Sequence, residues 1–139
     1  MGIFDRSTGT LRLFNGLEIT PLMGQQEYRA ALGQAVKRGP VILPGGVQIA
    51  ISTWCEDELL VGVSLKLVPP HLRNEKTVEA QMTLKEFHDS LLREELGDPP
   101  YVFEWGQVNS GYSERDVSSE ISVRYNLAAA QSDGPDSAD

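Results

Sequence analysis

The chain has 139 residues, 40% of them hydrophobic and 23% charged, with a formal net charge of −8. That length and composition fit one globular domain able to bury a core without metals, and the single cysteine, Cys55, excludes an internal disulfide. The acidity argues against DNA or RNA as a partner, since that affinity comes largely from Lys and Arg neutralising phosphates.

Met1-Gly2-Ile3-Phe4-Asp5-Arg6 lacks the basic stretch and apolar run of a signal peptide, so none is expected. No apolar run approaches the roughly 18 residues of a membrane span; Lys66 breaks the most apolar one. A reducing cytoplasm suits a fold that stands on packing alone. Residues 1–10 mix Gly, Ser, Thr and charge and are expected to be loosely held. Strands follow at about 11–14 and 17–20, joined by Asn15-Gly16, a pair suited to a turn with positive φ at both positions.

Tyr28, Ala31, Leu32, Ala35 and Val36 recur at helical spacing and predict a helix over 25–38. Lys37 and Arg38 complement the negative end of its dipole, and Gly39-Pro40 stops it. Residues 41–68 read as strands. Val47, Ile49, Ile51 and Thr53 share one face, and Leu59, Val61, Val63, Leu65 and Leu67 alternate on the next run. Between them, Trp54-Cys55-Glu56-Asp57-Glu58 reads as an acidic turn entered by an aromatic.

Residues 71–82 read as a charged connection. Thr83 and Glu86 then form a capping box that opens a helix with the stripe Leu84, Phe87, Leu91, Leu92 and Leu96, closed by Gly97-Asp98-Pro99-Pro100. Tyr101, Phe103 and Trp105 alternate, residues 109–118 read as a polar loop, and Ile121, Val123 and Tyr125 alternate again. Glu104 and Arg124 fall on the face opposite the aromatics, where a cross-strand pair would fit. The order predicts an α+β fold: an antiparallel sheet of about six or seven strands, built from hairpins, with two α-helices packed on one face. Residues 1–126 form the single domain, and 127–139, with Asp133, Asp136 and Asp139 and no basic residue, form a disordered acidic tail.

Neither a catalytic residue nor a cofactor or metal ligand set is assigned. Cys55 lies beside Glu56, Asp57 and Glu58, whose charge disfavours a reactive thiolate. His88 sits at the edge of an apolar helix stripe, where a packed, hydrogen-bonded role is the plain reading, and His71 reads as a solvated loop residue. Two histidines and one cysteine without paired spacing do not make a zinc site. The acids at 56–58 lack the alternation of a calcium loop, and no glycine pattern fits a phosphate loop or a nucleophile elbow.

What stands out is exposed aromatic and acidic character. Trp54 with Glu56, Asp57 and Glu58, and Tyr112 with Glu114 and Asp116, are the candidate contacts for a protein partner. In size, acidity and lack of a catalytic constellation, the chain resembles the small immunity proteins of bacterial toxin–immunity pairs. That resemblance is one of character and not of a motif; the phrases from Phe14 to Pro21 and from Tyr101 to Gly106 read like conserved bacterial proteins of no named family. That resemblance implies a non-enzymatic cytoplasmic protein, monomer or homodimer, that neutralises a basic toxin or effector. The alternatives are an adaptor or chaperone for a secreted effector, or a small enzyme.

Overall fold

The structure, a computed structural model, describes residues 2–73 and 76–126; the tail expected over 127–139 lies outside them. Eight strands and two α-helices make an α+β fold. Six strands form one antiparallel sheet in the order β3-β4-β5-β8-β7-β6. These are β3 (Ile42–Leu43), β4 (Val47–Glu56), β5 (Leu59–Val68), β6 (Tyr101–Phe103), β7 (Gly106–Ser113) and β8 (Ser118–Tyr125). A second, two-stranded sheet pairs β1 (Leu11–Arg12) with β2 (Glu18–Ile19).

The alternation of apolar residues predicts the sheet's two faces. Val63, Leu65 and Leu67 of β5, Ile121, Val123 and Tyr125 of β8 and Val108 of β7 are all buried on one side. Helix α2 (Val78–Leu96) covers that side with Leu84, Leu91, Leu92 and Leu96. Helix α1 (Gln25–Arg38), at the bounds its periodicity predicts, contributes Tyr28 and Ala35 to the same cluster. The opposite face stays open: Gln48, Ala50, Ser52 and Trp54 of β4 and Gln107, Asn109 and Gly111 of β7 are exposed there.

Five local expectations change. First, α2 starts six residues earlier than the Thr83–Glu86 pair suggests. Thr77 is the N-cap, its hydroxyl oxygen accepting from the Ala80 N–H at 3.1 Å, and Ala80 and Gln81 are already buried. Val78 and Met82 face solvent and break the stripe, which hides this start in the sequence. Second, the β4–β5 turn is only Asp57-Glu58, with φ of 52° and 65°. Both positive values match the strand twist, so β4 runs on through Trp54 and Cys55, with an irregularity in register between them.

Third, residues 109–113 belong to β7, paired with β8, and the loop shrinks to residues 114–117. Glu104 and Trp105 lie in the β6–β7 turn, and Arg124 stands opposite Gln107 and Gly62 rather than Glu104. Fourth, the N-terminal segment is held firmly. Glu95 accepts from the N–H groups of Gly2, Ile3 and Phe4 at 3.0, 2.7 and 2.8 Å, and Ile3 and Phe4 are buried. Trp105 donates to the Arg6 carbonyl at 2.7 Å and Tyr125 to that of Gly9 at 2.9 Å. Trp105 also stacks on Phe103, with centroids 4.9 Å apart. The aromatics thus clamp the chain's first turn as well as packing the sheet.

Fifth, the first hairpin is shorter than expected. Phe14 is buried, which turns Phe14-Asn15-Gly16 into a single 3-10 turn with positive φ at Asn15 and Gly16. The Asn15 side-chain amide donates to the carbonyls of Ala35 and Pro40, both at 3.0 Å, and so caps the end of α1.

Candidate functional site

The seven residues singled out as partner contacts fall into two groups. Trp54 lies on the open face near the end of β4, and Glu56, Asp57 and Glu58 are exposed at the β4–β5 tip. Trp54 is 38% exposed, its ring lying on Gly62 of β5, where any side chain would collide with it. The glycine is therefore what allows a flat, solvent-facing indole at this position. The tip is braced from behind: the Gln25 N–H donates to the Glu58 carbonyl and the Leu60 N–H to that of Met23, both at 2.8 Å. Gln25 opens α1, so the tip rests on a helix N-terminus, whose positive end favours acidic neighbours.

The second group sits elsewhere. Because β5 and β8 run antiparallel, with Gly62 opposite Arg124 and Leu65 opposite Ile121, the β7–β8 turn lies at the other end of the sheet. Ten-residue β5 separates the two tips by roughly 30 Å at about 3.3 Å per residue. Tyr112 faces the α2 side, opposite Ser119, and is half-buried. Asp116 engages Ser113 within its own turn: its N–H donates to the Ser113 hydroxyl at 3.2 Å. The structure brings Trp54 together with residues 56–58, and Tyr112 with the turn of Glu114 and Asp116, but not the two groups with each other.

Cys55 and the histidines do not meet. His88 is buried, and its Nε2 accepts from the Leu67 N–H at 3.1 Å, a donor beyond the residues of β5 that pair with β8. Burial holds its pKa down at about 4. Cys55 stands opposite Leu60, so roughly 23 Å of strand separates it from His88 at about 3.3 Å per residue. His71 is exposed in a short 3-10 turn. Among the described residues, no group of three or more His, Cys, Asp or Glu is placed to hold a metal.

A groove of about 580 Å³ runs between α2 and the β6–β7 hairpin, lined by Lys85, Asp89, Arg93, Tyr101, Asn109 and Ser110 among others. Lys85 and Asp89 pair across one helical turn at 2.9 Å, so part of its charge is internally neutralised. Neither histidine nor Cys55 lines it. The sequence reading missed this groove, because its walls come from distant segments. No helix among the described residues is long and apolar enough to cross a membrane.

No family model matches the chain, and no curated protein matches it in sequence. Among solved structures, the chain is similar to one in a complex described as "Rhs1-CT in complex with cognate immunity protein RhsI1". The TM-score is 0.48 and the identity 15%, over 90% of this chain and 87% of that one. At that level of likeness no residue role passes from that complex to this chain.

Proposed function

We propose that the chain is a non-enzymatic binding protein of the immunity type, which neutralises a cognate toxin in the cytoplasm by docking on its basic cleft. The observation that carries this reading is the β4–β5 tip. Three exposed acids, Glu56, Asp57 and Glu58, and the half-open Trp54 share one end of one hairpin, braced on the start of α1. A rigid aromatic anchor beside like charges suits a protein interface: the ring contributes desolvated contact area, and the acids steer a basic partner into register. The separation of Cys55 from His88 is in keeping with that reading, because a thiol nucleophile needs a base within hydrogen-bond reach.

The test is affinity capture from the native host with the intact chain, with Trp54→Ala, and with Glu56, Asp57 and Glu58 all changed to Lys. We expect one stoichiometric basic partner, lost in both variants, that is toxic when expressed alone and harmless when co-expressed with this chain. A partner retained by the charge-reversed tip contradicts the assigned surface. A partner that is not toxic, but is secreted only when this chain is present, replaces the reading with that of an adaptor.

A further inference from the structure

The outer edge of β4 is the longest run of strand edge left unpaired among the described residues. On that side β3 pairs only with Val47 and Gln48. From Ile49 to Glu56, no backbone partner stands on this edge among the described residues. An edge of this length is normally guarded by a charge, a proline or a covering segment, because it otherwise recruits another strand. Here residues 49–55, Ile-Ala-Ile-Ser-Thr-Trp-Cys, contain no charge, no proline and no glycine, and have high β propensity. Trp54 folds inward over Gly62, and Ala50 and Ser52 are small, so the rim is sterically clear.

We propose that a second copy of this chain covers this edge, the two β4 strands pairing antiparallel about a twofold axis at Ser52. Among in-phase pairings of the free span, this register sets Ser52 against Ser52, Ala50 against Trp54, and Ile51 against Thr53, a small residue meeting the large one and β-branched residues meeting each other. No like charges face each other along the paired span. The hairpin is also electrically polar. Its turn end carries Glu56, Asp57 and Glu58, while at its open end Lys66 lines a depression with Lys76 and Asp116, and Arg73 lies nearby. Arg73 is fixed there by donating to the Gly46 carbonyl at 3.2 Å. Antiparallel pairing brings the acidic end of each copy beside the basic end of the other, so the charge pattern favours this orientation twice over. At the basic end, β3 closes the edge and leaves Val41 and Ile42 exposed beside a depression of about 240 Å³ lined by Val41, Gln48, Ile49, Ala50, Lys66 and Val68.

Sedimentation of the intact chain over a wide concentration range should give twice the monomer mass. Ser52→Glu sets like charges directly opposite each other across the axis while changing only an exposed side chain, so it should sediment as a folded monomer. In a Cys55→Ser background, Ser52→Cys should cross-link under mild oxidation and Ala50→Cys should not, because only residue 52 meets its own copy. A monomer at every concentration overturns the proposal, as does a dimer that Ser52→Glu leaves intact. Ser52→Glu also leaves Trp54 and the tip acids unchanged. A dimer that persists in Ser52→Glu while toxin capture is intact therefore overturns the dimer alone, and a dimer that Ser52→Glu breaks in a chain that captures no toxin overturns the proposed function alone.

Discussion

The two long hairpins, β4–β5 and β7–β8, are built alike but placed in opposite situations. The second lies deeper in the sheet: β8 pairs with β5, β7 pairs with β8 along its length and with β6 over residues 106–108, and Ser119 of β8 donates from its hydroxyl to the Gln81 carbonyl of α2 at 2.5 Å. The first has one strand inside and one at the rim, with a two-residue tip of exposed acids. Both hairpins end in acidic turns, yet only β4–β5 combines those acids with an exposed indole and a free edge. The proposed function therefore places the contact surface by what the sheet leaves uncovered and not by acid content alone.

Glycine substitutions offer the largest test of this contrast. A Cβ on Gly106, at the start of β7 with φ of 154°, runs into the backbone carbonyl of Arg124 and cannot be accommodated by a side-chain shift. We expect Gly106→Ala to cost about 3 kcal/mol in denaturant unfolding. On Gly62 of the first hairpin, the obstacle is the half-exposed Trp54 ring, which can swing away. Gly62→Ala should cost about 1 kcal/mol or less, while weakening partner capture through Trp54. Equal costs would erase the distinction between a locked hairpin and an adjustable one.

Acid should act next, through the helix that backs both hairpins. His88 has a folded-state pKa of about 4 against an ordinary 6.5. Above pH 6.5 both states are neutral, so the native state has its full stability. Between 6.5 and about 4 only the unfolded chain takes up the proton, and stability falls by about 3 kcal/mol in all. Unfolding midpoints measured across that window should show the loss, and His88→Gln should flatten it.

Smaller effects should separate the two possible starts of α2. Thr77→Ala removes the cap on the Ala80 N–H and should cost about 1 kcal/mol. Thr83→Ala should change stability by less than about 0.5 kcal/mol, since Thr83 is an exposed residue inside the helix. Thermal melts of the two variants check this, and the reverse order would restore the start that the sequence suggests.

Much of the fold was legible where the cause is local. The bounds of α1, the alternation of β5 from Val63 to Leu67 and the Gly97 stop of α2 follow from neighbours within a turn or two, and the structure keeps all three, although Val36 of the α1 stripe is exposed and Leu60 is buried in place of Leu59. The misreadings share a long-range cause. β7 is rich in Gly, Ser and Asn and looks like a loop in isolation, yet β8 holds it extended along its whole length. The N-terminal segment looks loose because its anchor, Glu95, lies more than ninety residues away in sequence. The acidic tip was readable, since its residues are consecutive. The free edge beside it was not, because it depends on strand order, as does the separation of Tyr112 from Trp54.

The central claim is that partner recognition belongs to the β4–β5 tip and not to the β7–β8 turn. One paired capture experiment addresses it: Glu56, Asp57 and Glu58 changed to Lys in one variant, Glu114 and Asp116 changed to Lys in the other, each tested for the partner held by the unchanged chain. Loss of the partner in the first variant alone, with both variants folded, is the predicted result. Loss in the second alone, or equal retention by both, would contradict it.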